Sequence, residues 1–198
     1  MTDLYLASGS PRRRELLAQI GVSFEKISAP VDETPQPDEL ALDYVARLAR
    51  AKAEAGWQRM QELGLPPRPV LGADTTVALA DHLLGKPDDD EHAAAMLRLL
   101  SGKTHEVLTA VALCTESGCE TALSTSRVRF ATLTDAQIAA YIASGEPHDK
   151  AGSYGIQGLG GLFVAHLDGS FTGVMGLPLH ETAELLASSG LGFLAKLR

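Results

Sequence analysis

Two β-rich stretches that fold back on themselves interrupt a regular alternation of helix and strand patterns, and they constrain the fold most. Residues 70–87 have the pattern of a strand, a turn and a returning strand, and residues 105–133 have the pattern of two strands joined at ESG. Strands that alternate with helices favour a parallel sheet, whereas these hairpins require antiparallel neighbours. The sequence therefore predicts an α/β fold with a mixed sheet and flanking helices.

Helical patterns surround these strands, and several carry recognisable starts and stops. Acids open one of them at Asp88–Asp90, Thr134 is placed to cap another, and Pro178 begins the last. The helical segments are 11–21, 38–63, 88–102, 134–147 and 178–190. The remaining stretch 162–177 predicts a hairpin around Asp168 and Gly169.

Length and charge narrow the class of protein. The chain has 198 residues, 45% of them hydrophobic, which fits one domain over residues 1–198 with a substantial core. A formal net charge of −8 argues against a nucleic-acid partner, because binding a phosphate backbone needs a broad basic surface. A small anionic substrate stays possible, since a local cluster of cations is enough to hold it.

The chain also lacks the features of a membrane or exported protein. No apolar run approaches the roughly 20 residues that span a bilayer, and the start MTDLYLASGS has no signal-peptide core. We therefore expect a cytoplasmic protein with no membrane partner. Cys114 and Cys119 flank a hairpin turn that would let them pair, but a cytosolic setting favours reduced thiols.

The stretch SGSPRRRELL at residues 8–17 places cations where a helix prefers acids. Ser10 suits the N-cap and Pro11 the first helical position, yet arginines follow at the positive end of the helix. Arg13 shares a helical stripe with Leu16 and Leu17, so it is expected to point towards the protein body. Free N–H groups, Ser8, Ser10 and arginines together indicate an anion site. The alternative is a solvated basic turn paired with nearby acids.

Two lysines and two acids are further candidates. Lys52 interrupts the apolar stripe of the long helix, where it either extends to the helix edge or reaches into a cleft to hold phosphate. Asp74, expected near a strand end, and Glu33, in a proline-rich loop, can hold a metal ion or activate water. Lys86 follows the returning strand and can face the same cleft.

Gln157 lies in a glycine-rich loop, YGIQG. Its amide both donates and accepts hydrogen bonds, so it can read the edge of a nucleobase or bond the loop backbone.

These residues lie in sequence motifs that together resemble those of the Maf family over nearly the whole chain. The motifs are SGSPRR at 8–13, ET at 33–34, LARAKA around Lys52, GADT at 72–75, GKP at 85–87, LSGKTHEVLTAVAL at 100–113, EPHDKAGSYGIQG at 146–158 and VMGLPLHET at 174–182. The resemblance implies a nucleoside triphosphate pyrophosphatase and a fold like that of inosine-triphosphate pyrophosphatases. It further implies two lobes around a nucleotide cleft, a homodimer, and a divalent cation, Mg²⁺ or Mn²⁺.

Within that family, one branch prefers dTTP and UTP and another prefers 7-methyl-GTP. The methyl-GTP type carries Trp after the first-motif Pro, a D–Q pair at the acid motif and a K-S-E-G loop. Here the corresponding residues are Arg12, the Asp74–Thr75 pair and the loop with Gln157. The resemblance therefore implies the dTTP/UTP branch, with Arg12, Thr75 and Gln157 selecting the base and Asp74 accepting the proton.

The expected function is hydrolysis of dTTP and UTP, together with modified pyrimidine nucleotides, to the monophosphate and pyrophosphate, as nucleotide-pool housecleaning. The expected catalytic residues are Asp74, Lys52 and Lys86; the substrate-binding residues are Ser8, Ser10, Arg12, Arg13, Thr75 and Gln157; and the metal ligands are Glu33 and Asp74. Two alternatives stay open: a non-catalytic nucleotide-binding regulator of cell division, and a purine-type nucleoside triphosphate pyrophosphatase.

Overall fold

The computed structural model describes residues 2–80 and 82–191, which form two compact units. The first unit contains the described residues within 1–74, 109–124 and 176–198, and the second contains the described residues within 75–108 and 125–175. The expectation of a single domain over residues 1–198 stays a prediction.

Within the described part of the chain, seven strands form one mixed sheet. Their order is β2-β1-β3-β5-β6-β7, and β4 pairs with β3 beside this path. β1 is parallel to both β2 and β3, whereas β3–β4 and β6–β7 are antiparallel. The strands are β1 (Leu4–Ala7), β2 (Phe24–Lys26), β3 (Val70–Leu79), β4 (His82–Leu84), β5 (Thr104–Thr115), β6 (Gly118–Phe130) and β7 (Val164–Asp168). The expected mixed α/β sheet is thus confirmed.

Six α-helices accompany the sheet among the described residues. They are α1 (Pro11–Gln19), α2 (Ala41–Glu62), α3 (Asp90–Leu100), α4 (Asp135–Ala143), α5 (Phe171–Met175) and α6 (Leu179–Ser188). Short 3₁₀ turns span 146–149, 151–153 and 159–163. The expected cap of α4 is present, because the Thr134 hydroxyl accepts from Gln137 N and the Gln137 side chain bonds back to Thr134 N.

In the first unit, α2 lies directly on β3 through small residues. A Cβ added at Gly72 would lie 2.5 Å from Ala53 N, so the helix backbone rests on the strand where Gly72 has no side chain. Gly56 makes the matching approach from the helix, since a Cβ there would lie 2.8 Å from Val70 Cγ1. This contact sets how far the side chains of α2 reach along β3.

In the second unit, an aromatic group fills much of the core. Phe130 lies edge-on to His105, Tyr154 and Phe163, with ring centroids 5.0, 4.7 and 6.1 Å away. Phe163 also meets the Tyr141 ring of α4 at 5.0 Å. These contacts anchor the 3₁₀ segment 159–163 and α4 to the sheet.

Two local expectations are wrong. The stretch 162–177 is not a hairpin, because β7 ends at Asp168, Gly169 turns with φ +127°, and α5 begins at Phe171. β7 pairs with β6 instead. Cys114 and Cys119 are paired as a disulfide across the β5–β6 turn rather than being reduced thiols.

Candidate active site

A lysine shared by two carboxylates forms the centre of the site in the first unit. Lys52 Nζ lies 2.7 Å from Asp74 Oδ1 and 2.7 Å from Glu33 Oε1. Lys52 occupies the turn of α2 that packs over Gly72, two residues before Asp74 on β3, and this placement brings the two groups into contact. Of the two readings of Lys52, the structure therefore favours the one that turns its ammonium inward.

Asp74 and Glu33 differ in their exposure. The Asp74 side chain is 11% exposed and the Glu33 side chain is 53% exposed. Asp74 lies in the middle of β3, not at the strand end that we expected. Glu33 lies in the loop before α2, where Tyr44 Oη donates to its backbone carbonyl at 3.0 Å. The cluster thus combines an inner carboxylate with an outer one.

Burial gives the Asp74 carboxyl an unusual proton affinity. Burial raises the pKa of Asp74, and the adjacent Lys52 ammonium opposes the rise without cancelling it. A carboxylate whose pKa is raised, next to a fixed cation, suits an acceptor of a proton from water.

Arg13 places a second cation in the same unit. It faces inward from the first turn of α1, as its stripe with Leu16 and Leu17 predicts, and all three residues are buried. Its Nε donates to the carbonyl of Gly176 at 2.7 Å, and its Nη1 donates to Ser8 Oγ at 3.0 Å. Burial lowers the pKa of Arg13, and the negative charges of Asp74 and Glu33 oppose that shift. Arg13 is therefore electrostatically coupled to the carboxylate cluster.

The start of α1 combines a serine at the N-cap with two further arginines. Ser10 is the N-cap residue, and its backbone N–H donates to Ser8 Oγ at 3.2 Å rather than its side chain capping the helix. Arg12 is half-buried and Arg14 is exposed. No acid lies in the first turn of α1, so the partial positive charge of the helix end adds to that of the arginines.

The second unit contains Thr75, Lys86 and Gln157. Thr75 is half-buried on β3 and follows Asp74 directly. Lys86 is exposed just after β4, where the carbonyl of Gly85 accepts from Gly152 N at 3.0 Å. Gln157 is exposed in a turn that Gly158 N closes onto the Gly155 carbonyl at 3.2 Å. Each of these side chains is thus accessible to a ligand within its own unit.

Two features of the site were missed from the sequence. The Gly176 carbonyl, 163 residues from Arg13, holds its guanidinium, and only the presence of VMGL among the motifs pointed to that segment. Tyr44 anchors the Glu33 loop, but a tyrosine one turn into a helix carries no distinctive signal.

Over residues 2–80 and 82–191, no three His, Cys, Asp or Glu side chains converge as a metal-binding group. The two carboxylates on Lys52 are the converging oxygen donors of this site. The described part of the chain also holds no helix long and apolar enough to cross a membrane.

Comparison with known proteins shows which family the chain is similar to. The family model of Maf-like proteins matches residues 3–189. A dTTP/UTP pyrophosphatase of Chromobacterium violaceum is 54% identical over 189 residues, 96% of each chain. One of Escherichia coli is 60% identical over 189 residues, 95% of this chain and 93% of the relative.

Among solved structures, the Ham1 protein of Staphylococcus aureus is 14% identical, with a TM-score of 0.45 over 64% of this chain and 71% of its own. The family match and the two sequence relatives each cover nearly the full length of the chain. The chain belongs to the family of Maf-like proteins.

Proposed function

We propose that the protein hydrolyses dTTP and UTP, and modified pyrimidine triphosphates, to the nucleoside monophosphate and pyrophosphate. The observation that carries the proposal is the shared lysine, whose ammonium lies 2.7 Å from Asp74 and from Glu33 in the unit that holds the buried Arg13. Relatives at 54% and 60% identity bear the name dTTP/UTP pyrophosphatase, which supports the same substrates for this chain.

Phosphate binding falls to the cations and the helix end. A triphosphate carries several negative charges that repel any nucleophile until they are neutralised. Arg13 offers a planar guanidinium already oriented by Ser8 and Gly176, and Lys52 and Lys86 add point charges. Ser8, Ser10 and the N–H groups at the start of α1 position the phosphate oxygens. The arginines at the positive end of α1 then stabilise a bound anion.

Asp74 is the proposed base. It accepts a proton from water as the water oxygen forms a bond to the α-phosphorus. The bond from that phosphorus to the bridging oxygen breaks, and pyrophosphate leaves with the electron pair. Lys52 contacts Asp74 and orients its carboxylate. When Asp74 takes up the proton, one of the two negative charges beside the Lys52 ammonium is neutralised.

The donor set at Lys52 also fits Mg²⁺ or Mn²⁺. These ions prefer carboxylate oxygens and are commonly held by one or two carboxylates together with substrate phosphates, and the Glu33 and Asp74 carboxylates are near each other because both contact the Lys52 ammonium. Both residues are the proposed ligands. When bound, the cation would supply further neutralisation of the phosphate charge.

Base selection is assigned to Arg12, Thr75 and Gln157. Gln157 stands at an exposed turn and offers both a donor and an acceptor, which suits the carbonyl and N–H edge of a pyrimidine. Thr75, next to the proposed base Asp74, contributes one hydroxyl, and Arg12 contributes a half-buried guanidinium.

We propose further that the enzyme is a cytoplasmic homodimer that binds no nucleic acid and removes unwanted nucleotides.

Product analysis tests the reaction. Incubation with UTP and Mg²⁺ should give UMP and pyrophosphate in equal amounts, separated by ion-exchange chromatography. UDP and phosphate would overturn attack at the α-phosphorus. A panel of nucleoside triphosphates with pyrophosphate detection then separates three cases: pyrimidine preference, purine preference, and binding without turnover.

A further inference from the structure

The loop that carries Gln157 is held at both ends by one carboxylate and one tyrosine. Residues 155–158 form a turn that Gly158 N closes onto the Gly155 carbonyl, with Gln157 exposed at its corner. Before this turn lies the buried Tyr154, and after it the 3₁₀ segment 159–163 begins. The direction of the Gln157 side chain therefore depends on what fixes the two ends of the turn.

Glu146 fixes the end that follows the turn. Its Oε2 accepts from Leu159 N at 2.8 Å, and its Oε1 accepts from Gly160 N at 3.0 Å. Tyr141 fixes the end that precedes the turn, because its Oη accepts from Gly155 N at 3.1 Å. Tyr141 Oη also donates to Glu146 Oε1 at 2.8 Å. The two side chains are therefore connected, and we call the Glu146–Tyr141 pair the anchor of the loop.

Three glycines of the loop lie directly against this anchor. A Cβ at Gly155 would lie 3.3 Å from Glu146 Oε1, and one at Gly160 would lie 2.7 Å from Tyr141 Oη. A Cβ at Gly158 would overlap the carboxylate of Glu146. Because these glycines have no side chain, the loop backbone packs directly against Glu146 and Tyr141. The positions of these two side chains therefore determine the conformation of the loop.

The anchor packs against the core through Tyr141, and both of its groups keep their charge state. The Tyr141 ring packs against Phe163 in the buried aromatic group. Burial by itself would raise the pKa of Glu146, but the hydrogen bonds from Gly160 N, Leu159 N and Tyr141 Oη, together with the charge of Lys150, outweigh it, and the net shift is downward. Burial and the hydrogen bond to Glu146 raise the pKa of Tyr141. At neutral pH the pair is a carboxylate that accepts and a phenol that donates.

We infer that Glu146 and Tyr141 are positioning residues that set base discrimination by fixing the turn on which Gln157 is presented. Neither residue needs to touch the nucleotide. This inference rests on the proposed function, in which Gln157 reads the base. It adds that the preference for one base over another depends on Glu146 and Tyr141, because they fix the position of Gln157.

The test compares Tyr141→Phe and Glu146→Gln with the wild-type enzyme on dTTP and GTP. In both variants kcat/KM for dTTP divided by kcat/KM for GTP should fall by roughly ten- to a hundredfold, since small misplacements of a binding group are costly. The loss should appear as a higher KM for dTTP, with kcat nearly unchanged. Tyr5→Phe is the matched control, because Tyr5 is a buried tyrosine of the first unit whose Oη donates to the Pro66 carbonyl.

Tyr5→Phe should lower the melting temperature as Tyr141→Phe does, but leave the dTTP/GTP ratio within twofold of wild type. Gly158→Ala is a second variant, in case Glu146→Gln fails to fold: φ at Gly158 is −111°, which alanine tolerates, and the new methyl group displaces the Glu146 carboxylate. Its dTTP/GTP ratio should fall in the same direction.

The outcomes separate this inference from the function beneath it. If Gln157→Ala changes the ratio while Tyr141→Phe, Glu146→Gln and Gly158→Ala do not, the anchor does not aim the glutamine and the inference is overturned. If Gln157→Ala also leaves the ratio unchanged, the base-reading role of the loop is wrong, and the inference falls with it. If wild type releases no pyrophosphate from dTTP, the proposed function itself fails.

Discussion

The charged cluster of the first unit and the glycine loop of the second unit use opposite means to place functional groups. In the cluster, Arg13, Lys52 and Asp74 belong to α1, α2 and β3, and their side chains extend from these regular elements into the site. In the loop, the backbone itself is shaped, and a single carboxylate at Glu146 gathers two N–H groups. Charged side chains on regular elements suit phosphate chemistry, whereas a shaped backbone suits the recognition of a flat base.

This difference suggests that catalysis and base recognition can be altered separately. Variants in the cluster should change the rate for every nucleotide alike, and variants in the loop should change one nucleotide relative to another. A cluster variant that also changed the dTTP/GTP ratio would contradict this separation.

The largest effect is expected from Asp74→Asn. Loss of a positioned base typically costs about 10²–10⁴ in rate, and the amide keeps the shape of the carboxylate. kcat should fall by that factor for dTTP and GTP equally, and binding of a non-hydrolysable dTTP analogue, measured by calorimetry, should be largely retained. Turnover close to wild type would remove Asp74 as the base.

Arg13→Ala should follow, with Arg14→Ala as its neighbour control. Removing one preorganised charge donor costs on the order of 10²–10³ in rate, and Arg13 is buried while Arg14 is exposed on the same helix. Steady-state kinetics should show a large loss of kcat/KM for the first variant and a change within twofold for the second. Equal losses would contradict the assignment of Arg13 as the inward cation.

Gly72→Ala tests the packing that brings Lys52 to Asp74. The added methyl group meets the backbone of α2, which has no flexible end to move aside, so stability should fall by about 1–3 kcal/mol in urea unfolding. Gly85→Ala is the control, because no described atom beyond its chain neighbours lies within 4 Å of its Cβ position. If both variants were equally stable, the close approach of helix and strand would not be what sets the Lys52–Asp74 contact.

Gln157→Glu should alter selectivity by roughly tenfold, the size of one hydrogen bond to a charged group gained or lost. The dTTP/GTP ratio should shift, and the ratio of monophosphate to pyrophosphate should stay at one. An unchanged dTTP/GTP ratio would mean that the loop does not read the base. The proposed division between a catalytic cluster and a base-recognition loop would then be wrong for the loop.

The smallest effect concerns pH. Because burial raises the pKa of Asp74, the base takes up a proton at a higher pH than an ordinary aspartate, so kcat at pH 5 should be a smaller fraction of kcat at pH 8 than an aspartate of ordinary pKa would give. The pKa of Glu146 is lowered and that of Tyr141 is raised, so neither titrates in this range and the dTTP/GTP ratio should stay constant. Rate profiles for both nucleotides over that range measure the two regions at once.

Much of the fold was readable from local patterns. The turn at ESG, the cap at Thr134 and the stripe of α1 each depend on residues within a few positions of one another, and each is confirmed. The stretch 162–177 was misread because Asp168–Gly169 is a hairpin signal only when the next segment returns to pair. Here β7 pairs with β6, and the chain after Gly169 enters α5.

The candidate site was predicted as a set of residues but not as a set of contacts. The inward direction of Arg13 followed from helical spacing, while for Lys52 the same spacing left open whether its ammonium turned outward or inward. The Glu146–Tyr141 anchor was missed entirely, because a glutamate after Gly145 looks like any surface acid of a short turn.

Local patterns in the sequence predicted most of the helices and strands, the cap of α4 and the residues that carry charge into the protein. Which of these charges form ion pairs depends on the packing of distant elements. Lys52 reaches Asp74 and Glu33 because α2 lies on β3 at Gly72, and Arg13 is held by a carbonyl 163 residues away. Helix and turn preferences act over a few residues, whereas an ion pair depends on how distant elements pack, and no local pattern specifies that distance.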